Sequence, residues 1–171
     1  YEYTVNEVIP EGATAENNYT VNGVTYDSKT VNVKVTVTYN KETGELKAEL
    51  AKDSEAIAFQ NSYETKTSIG LEGTKSLSGR TLKDGEFTFE VKDKAGKVVA
   101  TGSNKSDGSI SFNNKLNYKL SDLEKADGSY ESEKTYEYTV NEVIPEGATA
   151  ENNYTVNGVT YDSKTVNVKV T

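Results

Sequence analysis

Residues Tyr1–Thr36, YEYTVNEVIPEGATAENNYTVNGVTYDSKTVNVKVT, recur letter for letter as Tyr136–Thr171, at an offset of 135. Two independent motifs do not converge on identity over 36 positions. The expectation is therefore a tandem array read for a little more than one period, or a chain made to overlap itself. Only 135 of the 171 residues are distinct, the size of one ordinary domain. The chain opens on Tyr1 with neither an initiator Met nor a signal peptide, as expected of an internal piece of a longer protein.

Hydrophobic period decides the class of fold. Val31, Val33, Val35, Val37 and Tyr39 alternate with polar residues, which predicts a strand with one apolar face. NKETGE (40–45) reads as a turn, and Leu46, Ala48 and Leu50 as the returning strand, although GELKAELAKDSEA is also rich in helix formers. Further strands are predicted around Phe87, Phe89 and Val91, over 97–101, and at Ile110 and Phe112, with DKAG and SDGS as turns between them. Asn22-Gly23 between β-favouring flanks predicts a hairpin, and SDLEKA (121–126) a single helical turn capped by Ser121. Many short strands separated by frequent turns predict an all-β chain, an Ig-like antiparallel β-sandwich seen out of frame across two tandem repeats.

Composition removes most catalytic chemistry. The chain has no His, Cys, Met or Trp, so it has no Ser-His-Asp triad, no Cys nucleophile, no thiolate or imidazole metal site and no disulfide. The Asp- and Gly-bearing loops do not have EF-hand spacing, so neither a metal nor another cofactor is expected. A net charge of −8 argues against nucleic acid as a partner, and no apolar run nears the roughly 20 residues of a membrane span. The glycosylation sequons at Asn18, Asn104 and Asn153 read as chance matches. Most of the tyrosines in alternating strands read as core rather than as a sugar-binding face.

Residues two apart on a strand share a face, and three polar residues fall in phase with apolar ones. Glu7 follows Tyr1, Tyr3 and Val5, and its repeat Glu142 follows Tyr136, Tyr138 and Val140. Asn61 shares parity with Ile57, Phe59 and Tyr63. Lys75 shares parity with Ile69, Leu71 and Leu77, unless Gly73 marks a bulge that resets the phase. Strand ends that leave the core and a snorkelling lysine stem are the plain alternatives for each residue alone. Together, an amine, a carboxyl and a carboxamide are chemically complementary.

The order KSLSGRTLKDGEFTFEV (75–91), a glycine-marked strand ending in ISF, YEYTVNEV, a Val-rich strand and IAFQNSYE resembles the Ig-like isopeptide-forming domains of Gram-positive pilins and surface adhesins. The resemblance implies that Lys75 bonds through its amine to the side chain of Asn61, and that Glu7 or Glu142 promotes the reaction. Burial favours a neutral amine and a protonated carboxyl, the pair needed to attack a carboxamide and release ammonia. The reaction happens once, so this is no enzyme acting on external substrate. The function implied is a structural stalk or shaft domain on the Gram-positive cell surface, anchored to the cell wall through segments outside this sequence. A ligand-binding sandwich for a glycan or host protein, without the crosslink, is the alternative.

In that family's frame, residues 1–64 are the C-terminal part of one unit and 65–171 the N-terminal and middle part of the next. The first then carries Glu7 and Asn61 without a lysine, and the second carries Lys75 and Glu142 without an asparagine. The partners expected are neighbouring repeats of the same array. Lys75 and Asn61 could meet by closure within a chain, by strand exchange or an isopeptide link between chains, or not at all.

Overall fold

A computed structural model describes all residues, 1–171. The chain is all-β with antiparallel pairing throughout, and its only helical pieces are three short 3₁₀ turns. It divides into two compact units, 1–65 and 66–171.

Unit 1 contains β1 (Glu2–Asn6), β2 (Thr20–Val21), β3 (Val24–Thr25), β4 (Thr30–Asn40), β5 (Glu45–Leu50) and β6 (Ser62–Tyr63). One sheet has the order β1-β4-β5 and the other β2-β3-β6. The alternating valines make β4 the longest strand, with Val31 and Val33 buried. The helix-forming residues of 45–50 are nonetheless a strand, because Asn40 closes the turn. Its side chain accepts from the Glu42 and Thr43 N–H groups, so β5 returns in register from Asn40↔Glu45 to Val35↔Leu50. The Asn22-Gly23 hairpin forms as expected, with φ of 51° and 80°, the left-handed pair that a tight two-residue turn requires.

Unit 2 contains β7 (Lys66–Ile69), β8 (Gly73–Thr74), β9 (Thr88–Asp93), β10 (Val98–Asn104), β11 (Ser109–Phe112), β12 (Leu116–Lys119), β13 (Tyr136–Glu142), β14 (Thr155–Val156), β15 (Val159–Thr160) and β16 (Val166–Val170). Its main sheet has the order β16-β13-β9-β10-β11-β8, which makes β16 an edge. The β7–β12 pair forms a second layer: the Tyr118 ring lies 4.8 Å from that of Tyr136, and its hydroxyl is 2.9 Å from that of Tyr138. Burial holds the Tyr118 hydroxyl well above the usual tyrosine pKa, helped by the hydrogen bond to Tyr138. Leu82, Phe87 and Phe89 form the core, with Leu77, Ile110, Phe112, Val140, Val159 and Tyr161 packed around them. Gly102 is required on β10, since a Cβ there would come within 2.8 Å of the Phe112 ring.

Three points are decided, one of them a correction. Gly73 does not reset the phase, for Leu71, Lys75 and Leu77 all stay half-buried while Glu72, Thr74 and Ser76 are exposed. The helical turn spans Leu120–Leu123 rather than starting after Ser121, because Asp122 reaches back to accept the Lys119 N–H at 2.8 Å. Asn104 is no glycan acceptor: it is fully buried, taking the Phe87 N–H at 2.7 Å and donating to the Lys83 carbonyl at 2.7 Å.

Candidate functional site

Unit 2 places two of the singled-out residues together. Lys75 follows β8, held by its backbone N–H donating to the Gly108 carbonyl at 2.7 Å. Glu142 ends β13, where it pairs with Phe89 of β9. Lys75 Nζ donates to Glu142 Oε2 at 2.6 Å and stands 4.3 Å from the centre of the Phe87 ring. Only 11% of the Lys75 side chain and 3% of that of Glu142 are exposed, so this ion pair is screened from water. The other carboxylate oxygen, Glu142 Oε1, is buried without a hydrogen-bond partner. An orphan acceptor beside a buried ion pair costs on the order of 1–3 kcal/mol and needs a reason.

A cleft of about 460 Å³ opens beside this pair, lined by Leu71, Phe89, Ile110, Val166, Val168 and Asp162 among others. The pair therefore faces a space with apolar sides and a polar floor.

Unit 1 holds the remaining residues. Asn61 Nδ2 donates to Glu7 Oε1 at 2.6 Å, and the Asp27 backbone N–H donates both to Glu7 Oε2 at 3.1 Å and to Asn61 Oδ1 at 3.0 Å. The Asp27 carboxylate accepts the Gln60 N–H at 3.1 Å and pairs with Lys29 at 2.8 Å. The Lys29 ammonium, and after it the Gln60 N–H, hold the Asp27 carboxyl below the usual carboxylate range. Expected burial fails here: Asn61 and Tyr63 are exposed, and 57–61 is not a strand. Tyr1 and Tyr3, at core parity, are 76% and 55% exposed. Unit 1 has no counterpart of the β7–β12 layer, whose Tyr118 packs on Tyr136 in unit 2, so Tyr1 and Tyr3 are left uncovered.

The structure thus makes two pairs from three residue types: carboxyl with carboxamide in unit 1, and carboxyl with amine in unit 2. The family model of FctA, the Spy0128-like isopeptide containing domain, matches residues 1–64 and 71–171. The chain belongs to that family. No curated protein and no solved structure is matched by it.

An isopeptide-containing domain of this family is a structural, pilin-type domain of Gram-positive surface pili, and so works outside the cell. No helix is long and apolar enough to cross a membrane. Asp27 and its repeat Asp162 are the residues that sequence reasoning passed over. Each sits in YDSK, which reads as a turn, since Asp27 Oδ1 accepts the Lys29 N–H and Asp162 Oδ1 the Lys164 N–H. The available signal was the repeat itself, because a loop duplicated with Glu7 and Glu142 is a candidate to serve the same site.

Proposed function

We propose that this chain is shaft material of a Gram-positive surface pilus or adhesin, whose repeats are closed by an amide between Lys75 and the asparagine of an F-x-N-x-Y segment, promoted by Glu142. One observation carries the reading: Glu142 uses one oxygen for Lys75 and keeps the other buried and unpaired, while in the identical segment Glu7 gives one oxygen to Asn61. A single carboxyl is therefore suited to hold amine and carboxamide at once.

The chemistry balances on those atoms. Glu142 takes a proton from Lys75 Nζ across 2.6 Å, which frees the amine lone pair inside an apolar site. Nζ attacks the carboxamide carbon. The carbonyl oxygen takes on negative charge there, and a backbone N–H placed as that of Asp27 is against Asn61 Oδ1 stabilises it. The carboxyl then gives its proton to the departing Nδ2 and regains one from Nζ, leaving a secondary amide and one ammonia. Held together by the fold, the groups react as neighbours, with effective molarities that reach about 10⁵ M or more.

The product does for this chain what a disulfide does elsewhere. A closed loop of about 120 residues, from Lys75 to the asparagine of the following repeat, is worth about 5 kcal/mol in the chain-entropy model. It also ties the first strand of a unit to its last, so tension bypasses most of the fold.

The test is to extend the chain after Thr171 by a second copy of residues 37–64, which completes the repeat begun at 65. Its intact mass is expected to fall one ammonia short of the sequence mass, and Lys75→Ala to restore the full mass. An extended chain that folds and keeps its full mass contradicts the crosslink.

A further inference from the structure

We propose that the open cleft of unit 2 is a docking site for residues 54–63 of a second copy of this chain, so that the Lys75–Asn61 amide forms between copies. This rests on the crosslinking chemistry proposed above.

The repeat supplies the template. In unit 1 the segment lies along the outward edge of β4: the Asn32 N–H donates to the Glu55 carboxylate at 2.6 Å, the Glu55 N–H to the Asn32 carbonyl at 3.1 Å, and the Lys34 N–H to Ser54 Oγ at 3.2 Å. Further along, Asp27 holds Gln60 and Asn61, and Glu7 accepts from Asn61 Nδ2. Every group on the receiving side belongs to 1–36, and each recurs in unit 2 as Asn167, Lys169, Asp162 and Glu142. There β16 is the last strand of its sheet, so the outward backbone of Asn167 and Lys169 faces no partner strand. Glu142 Oε1 is the buried acceptor that Asn61 Nδ2 satisfies on Glu7. Burial agrees: Val31 in unit 1, where the segment is seated, is 3% exposed, and its repeat Val166 in the cleft wall is 51% exposed.

Identity also sets the energetics. Each hydrogen bond that 54–63 gives up on 1–36 is remade on 136–171, so the exchange is close to neutral before anything new is counted. Unit 2 then adds the apolar cleft wall and the Lys75 amine, and the amide makes the transfer irreversible. Only Glu64 and Thr65 separate β6 from β7, which tethers the segment of the same chain at β7. The segment of a second copy carries no such tether. Donor and acceptor surfaces differ, so the contact is head-to-tail and extends to more than two copies.

The experiment uses the full 171-residue chain, concentrated, incubated and run on a denaturing gel. Covalent dimers and higher multimers are expected, with one ammonia lost per link. Lys75→Ala alone and Asn61→Ala alone each reduce the multimers to background. Mixed in equal amounts they give a covalent dimer and nothing longer, since one supplies Asn61 and the other Lys75. Lys75→Met, which fills the same space without an amine, serves in place of Lys75→Ala if that variant fails to fold. A chain that stays monomeric, or that loses ammonia as a monomer, overturns the second-copy occupant, as does a ladder that survives both lysine variants. The extended chain separates the two readings: if it loses ammonia while the 171-residue chain does not multimerise, the crosslink stands and the exchange falls.

Discussion

The same 36 residues occur twice, and different side chains of them are buried in each copy. In unit 2 Tyr136 and Tyr138 are half-buried, because Tyr118 of β12 packs on them. In unit 1 the matching Tyr1 and Tyr3 are 76% and 55% exposed, because no counterpart of β12 packs on them. The valines reverse the pattern, with Val31 buried and Val166 open. Burial therefore belongs to the partner a segment finds, and each copy lacks the partner that the other has. Of the ten buried apolar residues, Ala13, Val31 and Val33 lie in unit 1 and the other seven in unit 2, so unit 1 is the more weakly held half.

Matched substitutions at repeat positions sharpen this comparison. The largest difference is expected at the glutamates. Glu142→Ala strands the Lys75 charge in a buried site and costs unit 2 about 3–5 kcal/mol, whereas Glu7→Ala leaves the exposed Asn61 to water and costs about 1 kcal/mol or less. Denaturant unfolding followed by amide exchange in each unit reads both, and equal costs at the two positions break the comparison. Next come the valines, in the opposite sense. Val31→Ala is expected to cost about 2 kcal/mol and Val166→Ala a small fraction of that. If Val166→Ala proves as costly as Val31→Ala, the cleft is filled in solution.

The smallest effect is in acid. Asp27 has its folded pKa lowered by Lys29 and the Gln60 N–H, so the stability it contributes is present above its unfolded value near 4 and is lost as pH falls through the lower folded value. Protection of the Gln60 amide, relative to intrinsic exchange at each pH, is expected to fall over that range while that of β9 and β10 is kept. A Gln60 protection factor that is flat in pH removes Asp27 from the account.

Much of the fold was legible in the sequence because its strands are locally determined. The alternation of 31–39, the Asn22-Gly23 turn and the Phe87-Phe89-Val91 run each specify a strand or a reversal without help from distant residues. Asn61 shows where such reasoning stops. Parity with Ile57, Phe59 and Tyr63 predicts an inward asparagine, but parity sorts faces only within a strand, and 57–61 forms none, which leaves Asn61 exposed. Lys75 and Glu142 meet because β8 and β13 enclose one core, which parity alone could suggest but not pair. Asp27 and Asp162 escaped notice because a turn aspartate that caps a backbone N–H looks the same whether or not it also serves a site.

The most direct test of the central claim is to digest the extended chain, completed by a second copy of 37–64, and sequence its crosslinked peptides by mass spectrometry. The account predicts one branched peptide joining Lys75 to the asparagine of the appended FQNSY segment, lighter by one ammonia, and none when Glu142 is replaced by Ala in a chain that still folds. A lysine recovered wholly in a linear peptide from the folded chain contradicts it.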